Sequence, residues 1–313
     1  MNKKITLVFA GIAIATSVAF TACKTTPRPK NCINDTLQTQ VAAILDKHLK
    51  EYDAVAGQVI VVETATGKIV ANVGEGDTCN VSHLKNAEYL LAILESGKMT
   101  LDSKVDTESG MYVRAEGDTV FDHNYDKGGY GEVNLRQALA FSSEVGMTKA
   151  LEQCGIQDKP AYKIIDFYNA IANGGKMIAT SQYEDSIVIT NKQIGKQESI
   201  DSLKSALRYF VTNGLGKWAA SDKVKVAGNS STVKTDKDCY AEFIGYFPAD
   251  APKYTVYVSL KKKERPISGG SMAAAIFKDV AEYCLKSTKA ISKQAELQSL
   301  APLPVSPSHY PLL

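Results

Sequence analysis

The first regular pattern of apolar and polar positions lies between Asp35 and Tyr52. Apolar residues recur there three and four positions apart, the spacing that brings side chains to one face of a helix. The sequence therefore predicts an amphipathic helix whose apolar face carries Leu37, Val41, Ile44, Leu45 and Leu49. Two stretches typical of strands follow at residues 58–63 and 68–73, joined by a turn that contains Gly67.

The later pattern falls into a block of helices and then a block of strands. Helices are predicted at residues 82–95, 135–151, 162–173, 200–212 and 271–285, and strands at 223–226, 241–246 and 255–260. Two strands, a block of helices, three strands and a final helix predict an α/β fold of the α+β type. We expect an antiparallel five-stranded sheet flanked by helices, with a mostly helical lobe inserted between its two halves.

The N-terminal segment has the pattern of a secretory signal. Lys3 and Lys4 precede an apolar run from Ile5 to Phe20, which is short for a membrane-spanning helix and is followed by Thr21-Ala22-Cys23. We predict a lipoprotein signal peptide over residues 1–22 and lipidation of Cys23, which would hold the protein in the periplasm on a bacterial membrane. The alternative is an ordinary signal peptide followed by a coincidental cysteine.

The remaining chain is long enough for one domain with a large core. Residues 23–34 begin with prolines and charges and are predicted to form a tether. Residues 35–290 are predicted to form the folded domain. Residues 291–313 end in a proline-rich stretch and are predicted to be a disordered tail.

Charge and composition exclude several functions. The chain has 36 basic and 34 acidic residues, well mixed, so no nucleic-acid-binding surface is expected. The cluster Lys261-Lys262-Lys263-Glu264-Arg265 follows an apolar strand, and its simplest interpretation is a solvated strand end. The histidines and cysteines lack the spacing of metal ligands, so neither a metal nor a cofactor is predicted.

Ser82 and Lys85 form the most informative pair in the chain. Residues three apart on a helix lie on the same face, so this hydroxyl and this amine can share a hydrogen bond. A serine becomes a nucleophile when a neighbouring base takes its proton. The pair therefore indicates a nucleophilic serine, although four residues alone are a weak signal.

Three stretches in a fixed order resemble the motifs of penicillin-binding protein transpeptidase domains, the serine D,D-transpeptidase and β-lactamase-like family. Ser82-His83-Leu84-Lys85 opens a long apolar helix, and Ser142-Ser143-Glu144 resembles the second motif, Ser-x-Asn. Val226-Ala227-Gly228-Asn229-Ser230-Ser231-Thr232 lies where the family has Val-Ala-Gly followed by Lys-Thr-Gly-Thr. The resemblance covers most of residues 55–285.

The resemblance implies acyl transfer on the D-Ala-D-Ala end of peptidoglycan stem peptides, and acylation by β-lactams. Ser82 would attack the carbonyl carbon, Lys85 would act as the base, and Ser142 would pass the proton onward. Residues expected to contact the substrate are Glu144, Asn229, Ser230, Ser231 and Thr232. The expected partners are a stem peptide or a β-lactam, and the membrane through lipidated Cys23.

Two departures from the family motifs weaken the expected chemistry. Glu144 replaces the asparagine of the second motif, and a carboxylate there would stabilise Lys85 as an ammonium and weaken it as a base. Asn229 and Ser231 replace the lysine and glycine of the third motif. A neutral amide makes a hydrogen bond to a carboxylate about half as strong as a charged donor does.

Three functions remain open on the sequence. The chain is either a transpeptidase-like protein with impaired acyl transfer at Ser82 or a pseudoenzyme that binds or scaffolds the cell wall. A β-lactamase or D,D-carboxypeptidase is the third possibility, but it needs an activated water and the sequence offers no additional base for one.

Overall fold

The computed structural model describes residues 30–76, 83–115, 117–157, 162–184 and 187–299, with the side chains of His83 and of residues 288–299 excepted. The helices are Asp35–Tyr52 (α1), Asn86–Glu95 (α2), Leu135–Ala140 (α3), Glu144–Cys154 (α4), Ile164–Ala172 (α5), Gln197–Asn213 (α6) and Ala274–Ser299 (α7). The strands are Ala56–Glu63 (β1), Ile69–Glu75 (β2), Lys104–Asp106 (β3), Met111–Val113 (β4), Thr119–Phe121 (β5), Glu132–Asn134 (β6), Met177–Ile178 (β7), Ile189–Asn191 (β8), Ala227–Lys234 (β9), Cys239–Phe247 (β10) and Tyr254–Lys262 (β11).

Helix α1 has the predicted bounds, and local chemistry explains both ends. The side chain of Asn34 accepts a hydrogen bond from the Leu37 N–H and satisfies one of the free donors of the first turn. Asp53 ends the helix in a left-handed conformation. The predicted apolar face packs with Val41 and Leu45 fully buried.

Five strands form an antiparallel sheet in the order β2-β1-β11-β10-β9. Because β10 is covered on both faces, all nine of its residues are buried. One face of the sheet packs on α1 and α7 through residues such as Val59, Phe243 and Val258. The other face, which carries Ile244 and Tyr257, packs on helices inserted between β2 and β9. The predicted sheet with an inserted helical lobe is therefore confirmed.

The helix predicted at residues 135–151 is two helices, α3 and α4. Ser142 interrupts it with a φ of +52°, in the left-handed region that a helix does not tolerate. Ser143 then starts α4, because its side chain accepts a hydrogen bond from the Gly146 N–H. Apolar periodicity continues across the break, which is why the sequence pattern suggested one helix.

Other boundaries also differ from the predictions. The strand predicted at 223–226 is wrong, because β9 begins at Ala227 and its polar residues gain their hydrogen bonds by pairing with β10. Helix α7 continues to Ser299, past the predicted domain boundary at residue 290, since alanine, lysine, glutamine and leucine favour a helix there. The end of the predicted tether packs on the domain, and the Cys32 N–H donates to the Gln182 carbonyl at 2.8 Å.

Within the ranges that the structure describes, no helix combines the length and the apolar character needed to cross a bilayer. Met1 to Ala22 and Cys23, on which the signal-peptide and lipidation predictions depend, lie outside those ranges.

Candidate active site

A cleft of about 790 Å³ opens where the lobe meets the edge strand β9. The lobe contributes Ser142 and five residues near β5 to its walls, namely Phe121, Asp122, His123, Tyr125 and Asp126. The sheet side contributes Ser230 and Thr232. The lining is completed by Leu215, Trp218, Arg265, Ile267, Ser268, Gly270 and Ser271.

The first motif is described only in part, since Ser82 lies outside the described residues. Lys85 is half-buried and ends a short 3₁₀ turn, His83–Lys85, which packs against β9 and leads into α2. The carbonyl of Leu84 accepts a hydrogen bond from the Tyr168 hydroxyl at 2.9 Å. The turn that carries Lys85 is therefore fixed to both the third-motif strand and α5.

The second motif lies in the break between α3 and α4. Ser142 lines the cleft, and Ser143 points away from it into the protein. The Ser143 hydroxyl donates to the buried carboxylate of Asp122 at 2.8 Å, and the Val145 N–H donates to the same carboxylate at 3.0 Å. Burial raises the pKa of Asp122, and these two hydrogen bonds oppose the shift. These two hydrogen bonds to Asp122 hold Ser142 at the cleft surface.

Glu144 is the first residue of α4 and does not line the cleft. Its carboxylate accepts a hydrogen bond from the Asn86 side chain at 2.7 Å. Glu144, which replaces the asparagine of the family motif, therefore connects α4 to Asn86. Asn86 is the first residue of α2 and follows Lys85 directly in the sequence. A negative charge at the first turn of α4 also interacts favourably with the helix dipole.

The third motif lies on β9, where side chains alternate between the two sides of the strand. Ser230 and Thr232 line the cleft. Asn229 and Ser231 point the other way and are buried, with Asn229 only 1% exposed. The Asn229 side chain makes a hydrogen bond with the Tyr168 hydroxyl, and its carbonyl oxygen accepts the Ser230 N–H at 2.8 Å. The substrate-binding roles of Asn229 and Ser231 stay predictions.

Several cleft residues had no signal in the sequence. Asp122 and Arg265 are common residue types in polar stretches, and only the fold brings them to one cleft. Phe121, Tyr125 and Trp218 are exposed aromatic side chains on its walls, and Trp218 is 64% exposed. Large aromatic side chains usually contribute to a core, so the sequence pattern could not assign them to a surface cleft.

An antiparallel sheet with an inserted helical lobe, and a cleft lined by the second and third motifs, defines the class of transpeptidase-type domains. Residues 161–282 match the family model described as "Penicillin binding protein transpeptidase domain". The predicted resemblance to this family is therefore confirmed over residues 161–282.

Solved structures share the fold at low sequence identity. One is titled "Crystal structure of a peptidoglycan glycosyltransferase from Burkholderia ambifaria", with a TM-score of 0.69, 18% identity, and coverage of 83% of this chain and 98% of that one. The other is the transpeptidase domain of penicillin-binding protein 3 from Burkholderia pseudomallei, with a TM-score of 0.69, 17% identity, and coverage of 83% and 96%. At these identities the likeness concerns the fold alone.

A curated relative is "Stage V sporulation protein D" of Bacillus subtilis (strain 168), which is 34% identical over 96 residues. The matched stretch is 28% of this chain and spans only 15% of the length of that protein.

Proposed function

We propose that this chain is a periplasmic, lipid-anchored protein whose cleft binds the D-Ala-D-Ala end of peptidoglycan stem peptides, and β-lactams, and in which Ser82 reacts slowly. The observation that carries the proposal is the cleft itself. It is lined by Ser142 of the second motif together with Ser230 and Thr232 of the third. In a penicillin-binding fold, these hydroxyl groups can donate hydrogen bonds to the carbonyl and carboxylate oxygens of a peptide or a β-lactam.

In the proposed acyl transfer, the Ser82 oxygen bonds to the carbonyl carbon of the ligand and the amide C–N bond breaks. The serine proton passes through Lys85 and Ser142 to the leaving nitrogen. The backbone N–H groups of Ser82 and of the strand near Ser231 or Thr232 would stabilise the oxyanion, which is usually the largest contribution to catalysis in such reactions. Ser82 and Lys85 are both retained, so the chemistry has its nucleophile and base.

The slow rate follows from positions 144 and 229. Glu144 introduces a carboxylate, hydrogen-bonded to Asn86 at the start of α2, where the family motif has a neutral amide. Asn229 supplies no positive charge and is buried beside Tyr168. The same two features favour the second candidate function, a pseudoenzyme that binds the cell wall without turnover.

Intact-mass spectrometry after incubation with a fluorescent penicillin tests the proposal, with Ser82→Ala as the control. We expect a covalent adduct that accumulates over minutes to hours and is absent from the variant. Reversible binding without any adduct would favour the pseudoenzyme. A stoichiometric adduct within seconds would show that Glu144 and Asn229 do not impair acylation.

A further inference from the structure

The basic residues at the end of β11 differ in what they contact. Three lysines bind groups within the domain, and one arginine lines the cleft. Lys261 and Lys263 both pair with the Asp238 carboxylate, at 3.0 and 2.7 Å. The Lys262 ammonium donates to the Tyr52 carbonyl. Three of the four cations are therefore bound within the domain and are not free to receive a ligand.

Arg265 is the cation that remains available. It is exposed, it lines the cleft, and it makes no hydrogen bond or ion pair with the described part of the chain. Among the lining residues that the structure describes, the other charged side chains are the carboxylates of Asp122 and Asp126. Of these described lining residues, Arg265 is therefore the one that is positively charged at all ordinary pH values.

The surroundings of Arg265 suit a carboxylate. Thr232 accepts a hydrogen bond from the Gly269 N–H at 2.9 Å, so its own hydroxyl proton can be donated into the cleft. Ser230, Ser268 and Ser271 add hydroxyl groups to the lining of the same cleft. A guanidinium can bind both oxygens of a carboxylate at once, and neighbouring hydroxyl donors add to that contact.

The third motif does not supply this charge. Asn229 is neutral, is 1% exposed, and points to the Tyr168 side of β9 instead of the cleft. We propose that Arg265 receives the carboxylate of the ligand, in place of the lysine that the third motif lacks. This inference rests on the proposed function and adds to it the residue that selects ligands with a free carboxylate.

The test compares diacetyl-L-lysyl-D-alanyl-D-alanine with its C-terminal amide, which lacks the charge. Binding is measured by calorimetry and by the fluorescence of Trp218, the single tryptophan of the chain, which lies on the cleft wall. We expect Arg265→Gln to weaken binding of the acid peptide by about 10- to 100-fold and to leave binding of the amide nearly unchanged. Arg265→Lys should retain part of the preference for the acid peptide.

Lys263→Gln is the matched control, because it removes a neighbouring charge that is bound to Asp238, and it should leave both affinities unchanged. Unchanged binding of the acid peptide to Arg265→Gln would overturn the inference while leaving the proposed function intact. Equal losses for the two peptides would also overturn it, because the effect would not depend on the carboxylate. Failure of both peptides to bind the wild-type protein would overturn the proposed function, and the inference with it.

Discussion

At the scale of single residues, Glu88 places an ionisable carboxyl group inside the lobe, three positions after Lys85. Its side chain is 1% exposed. Burial raises the pKa of Glu88 to about 7, although the Tyr162 backbone N–H and the Lys85 charge act in the opposite direction. The folded protein therefore binds this proton more tightly than the unfolded chain, where the carboxyl titrates near 4.5.

The raised pKa of Glu88 predicts a loss of stability as the pH rises. Below pH 4.5 the group is protonated in both states, and between pH 4.5 and about 7 only the unfolded chain releases the proton. The free energy of unfolding should fall over this window by about 3 kcal/mol, with no further change from this group above it. Urea denaturation of wild type and Glu88→Gln at pH 5 and pH 8 measures the effect.

Glu88→Gln should lose this part of the pH dependence and gain stability relative to wild type at pH 8. Glu264→Gln is the control, because Glu264 is exposed and its replacement should leave the pH dependence unchanged. Parallel stability curves for wild type and Glu88→Gln would mean that the Glu88 carboxyl is not desolvated.

At the scale of elements, the break between α3 and α4 decides where the second motif lies. The strained φ of +52° at Ser142 is maintained because Ser143 and Asp122 tie the start of α4 to the loop after β5. Tyr130 adds support, since its ring stacks on Phe141 at a centroid distance of 5.1 Å. The break thus gives the cleft a hydroxyl group that a continuous helix would place elsewhere.

Ser143→Ala should destabilise the domain, because the Ser143 side chain connects the start of α4 to Asp122. The change removes the cap of α4 and one donor to a buried carboxylate, at a combined cost of about 2 to 3 kcal/mol. In a domain of this size we expect Tm to fall by about 5 to 10 °C in a thermal melt followed by circular dichroism. The matched control is Ser142→Ala, which keeps the same backbone strain and loses no side-chain hydrogen bond to the described part of the chain. A similar drop in Tm for both variants would contradict the role assigned to Ser143.

At the scale of the whole molecule, the N-terminal connection would limit how far a lipid-anchored domain could lie from a membrane. Asn34 caps α1, and the Cys32 and Asn34 N–H groups bind the Gln182 and Val70 carbonyls. The seven residues from Cys23 to Pro29 can span at most about 25 Å. A lipid on Cys23 would therefore hold the cleft-bearing domain close to the bilayer surface.

We predict that Cys23 is the lipid-modified mature N-terminus. Wild type should sediment with membranes and Cys23→Ser should be lost from them, because the acyl chains of the lipoprotein supply the anchor. Membrane fractionation followed by immunoblotting measures the difference, and Cys32→Ser serves as the control cysteine. Equal membrane association of wild type and Cys23→Ser would refute lipid anchoring.

The sequence by itself determined the elements whose signals are local. The bounds of α1 follow from apolar spacing and the caps at Asn34 and Asp53, and the order of strands and helices was enough to predict the sheet with its inserted lobe. The three motifs carried the family resemblance because their residue types and order survive even where single residues have changed.

Only the tertiary structure decided which motif residues reach the cleft. Asn229 and Ser230 are neighbours in sequence, yet one is buried beside Tyr168 and the other lines the cleft, because strand direction and pairing fix the two faces. Asp122 and Arg265 join the site through contacts between distant segments. Local periodicity reports which face of an element is buried, whereas the pairing of charges across the fold depends on how the elements pack.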